Sequence, residues 1–110
     1  MKLPSDTILE IAKNKLRAYL LNPNHPDGKA KADFFIANGI NSETEWQFEN
    51  LLKQQATQHE ISKQLTTPFG IKYIFESPIV FPNEKTHVIR SVWIREETEK
   101  VIKFVTAYKI

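Results

Sequence analysis

Apolar positions in the first fifth of the chain recur every three or four residues. Between Ser5 and Leu21 they are Ile8, Leu9, Ala12, Leu16, Tyr19 and Leu20, a spacing that predicts a helix with one buried face. Ser5 or Asp6 is placed to cap its start. The run Asn22-Pro23-Asn24-His25-Pro26-Asp27-Gly28 ends it, because two prolines and a glycine cannot continue a helix. A short second helix is expected from about Lys29 to Asn38, burying Ala30, Phe34 and Ala37 with Phe35 beside them, and Asn38-Gly39 supplies its stop. Ser42 followed three residues later by Glu45 fits a capping box. The third helix it opens runs to about Gln58 and buries Phe48, Leu51, Leu52 and Gln55, with Trp46 near the first turn.

From His59 the period shortens to two. Ile61 and Leu65 alternate with Ser62 and Gln64, which predicts a strand packed on one face. Thr67-Pro68-Phe69-Gly70 reads as a turn, Ile71 to Phe75 as a second strand, and Phe81 to Lys85 as the next reversal. Val88 to Arg95 and Val101 to Tyr108 are the strongest strands, joined through the charged segment Glu96 to Lys100. The expectation is an α+β domain spanning residues 1–110, with about three helices followed by an antiparallel meander of about four strands.

Composition narrows the function classes. A chain of 110 residues with 41% apolar and 25% charged residues has the balance of a globular domain. It contains no cysteine, which excludes disulfide scaffolds, thiol catalysis and Cys-based zinc sites within it. The formal net charge of +2 permits an anionic partner without announcing one. The amino-terminal residues lack the apolar core of a secretory signal, and no run approaches the ~18 apolar residues of a membrane span. A soluble, cytoplasmic protein is the expectation. There is no P-loop, no G-x-G-x-x-G and no G-x-S-x-G elbow. His25, His59 and His87 are widely separated, so neither a metal site nor a cofactor is expected.

The segment Asn24 to Lys31 is the one constellation with chemical content. His25 stands in a rigid turn before a helix start, with Lys29 and Lys31 close behind. A helix start offers N–H groups and a positive dipole end to a phosphate, and Lys31 adds a point charge. A histidine that titrates near neutrality beside such a site suits proton transfer at a phosphodiester. The bland alternative is a surface turn whose histidine bonds a carbonyl and whose lysines are solvated. On the strands, Val88, Arg90, Val92 and Ile94 share one face, and Ile102, Phe104, Thr106 and Tyr108 share another. A guanidinium among Val and Ile needs a partner, and its functional reading is a fork for phosphate, with Thr106 and Tyr108 adding hydroxyls. Trp93, on the opposite face from Arg90, reads as core.

Several runs resemble a small bacterial family known only as a domain of unknown function. They are Lys15-Leu16 through Tyr19-Leu20-Leu21-Asn22-Pro23, His25-Pro26, Gly28, and Lys31-Ala32 through Phe34-Phe35, followed by Thr67 to Tyr73, Arg90 to Ile94 and Thr106-Ala107-Tyr108. The resemblance covers the chain from about Leu9 onward. It departs at the end, where the family often has a proline after Thr-Ala-Tyr and this chain has Lys109-Ile110. Such domains stand alone, beside small neighbouring genes, or at the ends of toxin-like and phage proteins. Helices first and a four-stranded antiparallel sheet second is similar to the fold of barnase, colicin-type and RelE-type ribonucleases. The resemblance therefore implies a metal-independent ribonuclease-like toxin domain cleaving RNA through the 2′-hydroxyl. In it His25 is base or acid, Lys31 the stabilising cation, and Arg90 with Thr106 or Tyr108 the phosphate holder; Lys29 and His87 are added substrate contacts. The second acid–base group stays open among His87, His59 and Tyr108. The alternative is a non-catalytic interaction module of a two-gene, toxin–antitoxin-like pair, with a small antitoxin or immunity protein rather than RNA as its partner.

Overall fold

The computed structural model describes residues 1–4, 6–12, 15–16, 24, 29–41, 43–96 and 100–110. Its elements, in chain order, are β1 (Ile8–Glu10), α1 (Lys29–Ala37), α2 (Glu45–Gln58), β2 (Lys63–Thr67), β3 (Gly70–Val80), β4 (Thr86–Arg95) and β5 (Val101–Lys109). The strands form a five-stranded sheet in the order β1-β5-β4-β3-β2. The expected meander is there as β2 to β5, antiparallel throughout, and β1 adds a parallel strand beside β5, so the sheet is mixed.

Strand β1 corrects the expected first helix. Ile8, Leu9 and Glu10 pair with Val101, Ile102 and Lys103. A helix over these residues would have left the backbone groups on that side of β5 unpaired, and the local three-to-four spacing carries no information about so distant a partner. Leu9 packs on the core either way. Helical backbone is found further along, at Lys15 and Leu16, and Leu16 is buried. Of the expected helix, Ser5 and residues 13–14 and 17–21 lie outside the described residues, as does the proline turn at 22–28 except for Asn24.

Helix α1 lies within its expected bounds but is rotated. Ala32 and Phe35 are its buried residues, while Ala30 and Ala37 face solvent. It ends in a Schellman arrangement, with Ile40 N donating to Phe35 O and Gly39 N to Ile36 O, each at 3.1 Å. Gly39 takes the positive φ of 95° that this stop requires. Helix α2 starts at Glu45 after Thr44, whose side chain makes no capping bond to the helix. Asn41 Oδ1 instead accepts from Glu43 N and Thr44 N, and Thr44 Oγ1 donates to Gly39 O. Glu45 is thus the first helical residue rather than the third of a capping box, and Ser42 is outside the described residues.

Both helices lie on one face of the sheet. Phe35, Phe48 and Leu52 pack there against Phe75, Ile89, Trp93, Phe104 and Ala107. Trp93 is fully buried, with the Phe104 ring edge-on at 5.3 Å. Gln55 is also buried, and it stitches α2 to the sheet. Its Nε2 donates to Ser77 O and Ile89 O, and its Oε1 accepts from Ser91 Oγ, which accepts in turn from Trp93 Nε1. The opposite, outer face carries no covering element among the described residues. No helix among them is long and apolar enough to cross a membrane.

The first strand of the meander starts later than expected. Strand β2 begins at Lys63 and is exposed over Lys63 to Thr66, because it is the sheet's edge. Strand β3 runs five residues past Phe75, pairing as far as Val80 with Thr86. A β-bulge between Val92 and Trp93 of β4 sets Trp93 against Phe104 but Val92 against Thr106. Val105 is the extra residue, so side-chain parity along β5 changes there. Ile102 and Phe104 point to the core as expected, whereas Thr106 and Tyr108 turn to the outer face beside Val92 and Arg90. That corrects the simple alternation, and it creates the site.

Candidate functional site

The site is one cross-strand row of the outer face. Register places Glu76 of β3, Arg90 of β4 and Tyr108 of β5 side by side. Arg90 bridges its neighbours: Nε donates to Glu76 Oε1 at 2.9 Å, and Nη1 donates to the Tyr108 hydroxyl at 3.1 Å. Its carbon centre also lies 5.5 Å from the Tyr108 ring centroid. The side chains of Arg90 and Glu76 are 34% and 36% exposed, so the pair is reachable from solvent. The Tyr108 hydrogen bond, and after it the Glu76 bond, hold the guanidinium above its ordinary pKa. It stays cationic at every pH a protein survives.

Lys31 reaches the same row from α1. Its neighbour Ala32 is in the core, which fixes the helix so that Lys31 lies against β5. Nζ donates to Thr106 Oγ1 at 3.2 Å and stands 5.5 Å from the Tyr108 ring centroid. Two cations thus approach one phenol, with a threonine hydroxyl and a carboxylate nearby. Coordinated positive charge with hydroxyl donors suits a phosphate, and the carboxylate can accept a proton.

Lys31, Arg90, Thr106 and Tyr108 are therefore brought together. His87 is not. It follows the parity of Ile89, Ser91 and Trp93, on the helix-covered face. There its Nε2 is 3.0 Å from Asn38 Oδ1, and the Phe34 ring meets it edge-on at 5.0 Å. His59 is exposed at the end of α2. Lys29 is exposed and paired with Asp33 at 2.7 Å. His25 lies outside the described residues.

Glu76 is the member that sequence reasoning missed, since the second strand was ended at Phe75. The signal was present: counting back in antiparallel register from the reversal at Phe81 to Lys85 sets Glu76 opposite Arg90. Pro78, which pairs with Val88, masked it, because proline argues against a central strand. Among the described residues no group of His, Asp and Glu could hold a metal ion. A second cleft, of about 280 Å³, lies at the other end of the sheet, where Arg95 Nε donates to the Tyr73 hydroxyl at 3.3 Å.

Comparison with known proteins bears on the fold and the family. One solved structure with the same fold is a chain of a contact-dependent growth inhibition toxin–immunity protein complex from Klebsiella pneumoniae 342. The superposition has a TM-score of 0.73 at 18% sequence identity and covers 91% of this chain and 98% of that one. No functionally curated protein gives a significant sequence match. The family signature described as Domain of unknown function (DUF6883) matches residues 2–110, and this chain belongs to that family.

Proposed function

We propose that the outer-face row is the active site of a metal-independent endoribonuclease of the toxin type. The observation that carries this reading is the meeting of Lys31 and Arg90 on Tyr108, with Thr106 and Glu76 at the rim. The core does not need these groups, and a scissile phosphate does. In the reaction, the substrate's 2′-hydroxyl attacks the adjacent phosphorus and gives its proton to the Glu76 carboxylate. The P–O2′ bond forms as the P–O5′ bond breaks. The departing 5′-oxygen takes a proton from Tyr108, whose oxygen accepts in the Arg90 bond and so leaves its O–H available to donate to the leaving group. Arg90 and Lys31 stabilise the charge that builds on the phosphorane oxygens. His25, the proton-transfer group expected from the sequence, lies outside the described residues, and this mechanism assigns it no step.

The test is cleavage of structured RNA in EDTA. Wild type should cleave, and Arg90→Ala should lose about 100-fold or more in rate with the melting temperature unchanged, the usual cost of removing a transition-state donor. Metal-dependent cleavage, or full activity in Arg90→Ala, would reject the mechanism.

A second reading has its own observation. The similar chain from Klebsiella comes from a toxin–immunity protein complex, and no described element covers the outer face here. In that reading the chain is a non-catalytic member of a protein pair, and its outer face docks a small cognate protein. Absence of cleavage together with stoichiometric binding to a neighbouring gene's product would favour it.

A further inference from the structure

From the placement of the remaining outer-face charges, we infer that Lys72 and Lys103 form a distal phosphate subsite, so that the preferred substrate is a single-stranded RNA extending about two nucleotides beyond the scissile phosphate. The inference rests on the phosphodiester reading above and specifies its substrate class. Lys72 and Lys103 both face Ile94 across the sheet, one from β3 and one from β5. Their neighbours Tyr73, Ile102 and Phe104 are buried, so alternation turns both lysines to the outer face. Arg90 and Ile94 are four residues apart on β4, which sets this lysine row ~13 Å along the strands from the catalytic row. An unstacked single strand crosses that distance in roughly two nucleotides.

Between the two rows lie Ile74, Val92 and Thr106, with Lys63 paired to Ile74 at the edge. Ile74, Val92 and Ile94 give the intervening nucleotides a partly exposed apolar floor for bases that are not stacked in a duplex. Among the described residues of the elements, the outer face gathers Lys31, Lys63, Lys72, Arg90 and Lys103 against the carboxylates Glu10 and Glu76. It therefore concentrates positive charge in a protein whose formal net charge is only +2. Glu10 is the register partner of Lys103 and tempers that lysine, which leaves Lys72 the stronger contact. Among the described residues of the strands, Tyr108 is the aromatic side chain on this face, so binding is mainly electrostatic and falls steeply with salt.

The experiment measures kcat/KM on oligouridylates from the dinucleotide to the pentanucleotide at about 0.1 M salt. Wild type should gain about fivefold or more on passing from two to four nucleotides, and the Lys72→Ala/Lys103→Ala variant should lose that gain. Its activity on the dinucleotide should equal wild type, which shows the catalytic row intact, and Lys85→Ala in the exposed β3–β4 reversal serves as the control. Cleavage with no length dependence, or with a gain that survives the double substitution, overturns the subsite and leaves the ribonuclease reading standing. If wild type cleaves structured RNA but none of these oligonucleotides, the subsite alone falls, and if it cleaves neither, both fall. If the lysine substitutions weaken binding of a cognate protein while leaving RNA kinetics unchanged, the face is a protein-docking surface and the inference is overturned.

Discussion

Replacing Gln55 with leucine removes the polar clasp between α2 and the sheet while keeping nearly the same volume. Gln55 is 2% exposed and takes part in three hydrogen bonds, donating to Ser77 O and Ile89 O and accepting from Ser91 Oγ. At ~1 kcal/mol net for each bond, their loss costs about 3 kcal/mol. The stranded Ser91 hydroxyl adds ~1–3 kcal/mol, since it has no water to turn to in a fully buried position. Burying leucine in place of the amide returns ~1–2 kcal/mol of apolar transfer energy. Gln55→Leu should therefore destabilise by about 2–5 kcal/mol, read from urea unfolding followed by tryptophan fluorescence and far-ultraviolet circular dichroism. In a double-mutant cycle with Ser91→Ala, the two positions should couple by about 1 kcal/mol or more, because they share one network. A loss below ~1 kcal/mol with no coupling would refute the reasoning. It would mean that these bonds do not form, or that the helix shifts to replace them at no cost.

Other expectations follow from packing and backbone geometry. Trp93→Ala should cost ~3–5 kcal/mol in the same unfolding assay, because the indole is fully buried against Phe104. A loss under ~1 kcal/mol would contradict that packing. Gly70→Ala should cost ~1–3 kcal/mol or more, since φ is +133° and an added Cβ would clash with the Arg95 carbonyl. A neutral Gly70→Ala would mean that the β2–β3 turn is not built this way. Glu76→Gln should leave the unfolding midpoint nearly unchanged, because its pair with Arg90 is about one-third exposed and screened. RNA cleavage should nevertheless fall by about 100-fold or more if the carboxylate is the base, within the range expected of general-base catalysis.

The meander and the later helices were legible because their signals are local. Alternation marked β3, β4 and β5, and Asn38-Gly39 marked the end of α1. What escaped depended on distant partners. Ile8 to Glu10 fits a helical spacing, yet it is a strand because β5 lies alongside it. Ala30 and Ala37 looked like part of the inner face of α1, but the core is set by Phe48 and Phe81 meeting Phe35, with Phe34 half-buried against it. The site shows the same division. Arg90 announced its need for a partner as a charge among Val and Ile, and Lys31, Thr106 and Tyr108 were named with it. Their meeting on one face depends on a bulge that simple alternation cannot show. Glu76 was missed through the strand end set at Phe75, and His87 was drawn toward the site although its parity belongs to the core side.

The most direct test of the proposed chemistry is a pair of otherwise identical RNA substrates, one all-ribose and one with a single 2′-deoxynucleotide at the mapped cleavage position, each incubated in EDTA. The nucleophile in this account belongs to the substrate, and its 2′-oxygen remains bonded to phosphorus in the product. The all-ribose strand should be cut to a 2′,3′-cyclic phosphate end, and the deoxy-substituted strand should stay intact at that position. Equal cleavage of both strands, or a linear 5′-phosphate product, would contradict the account.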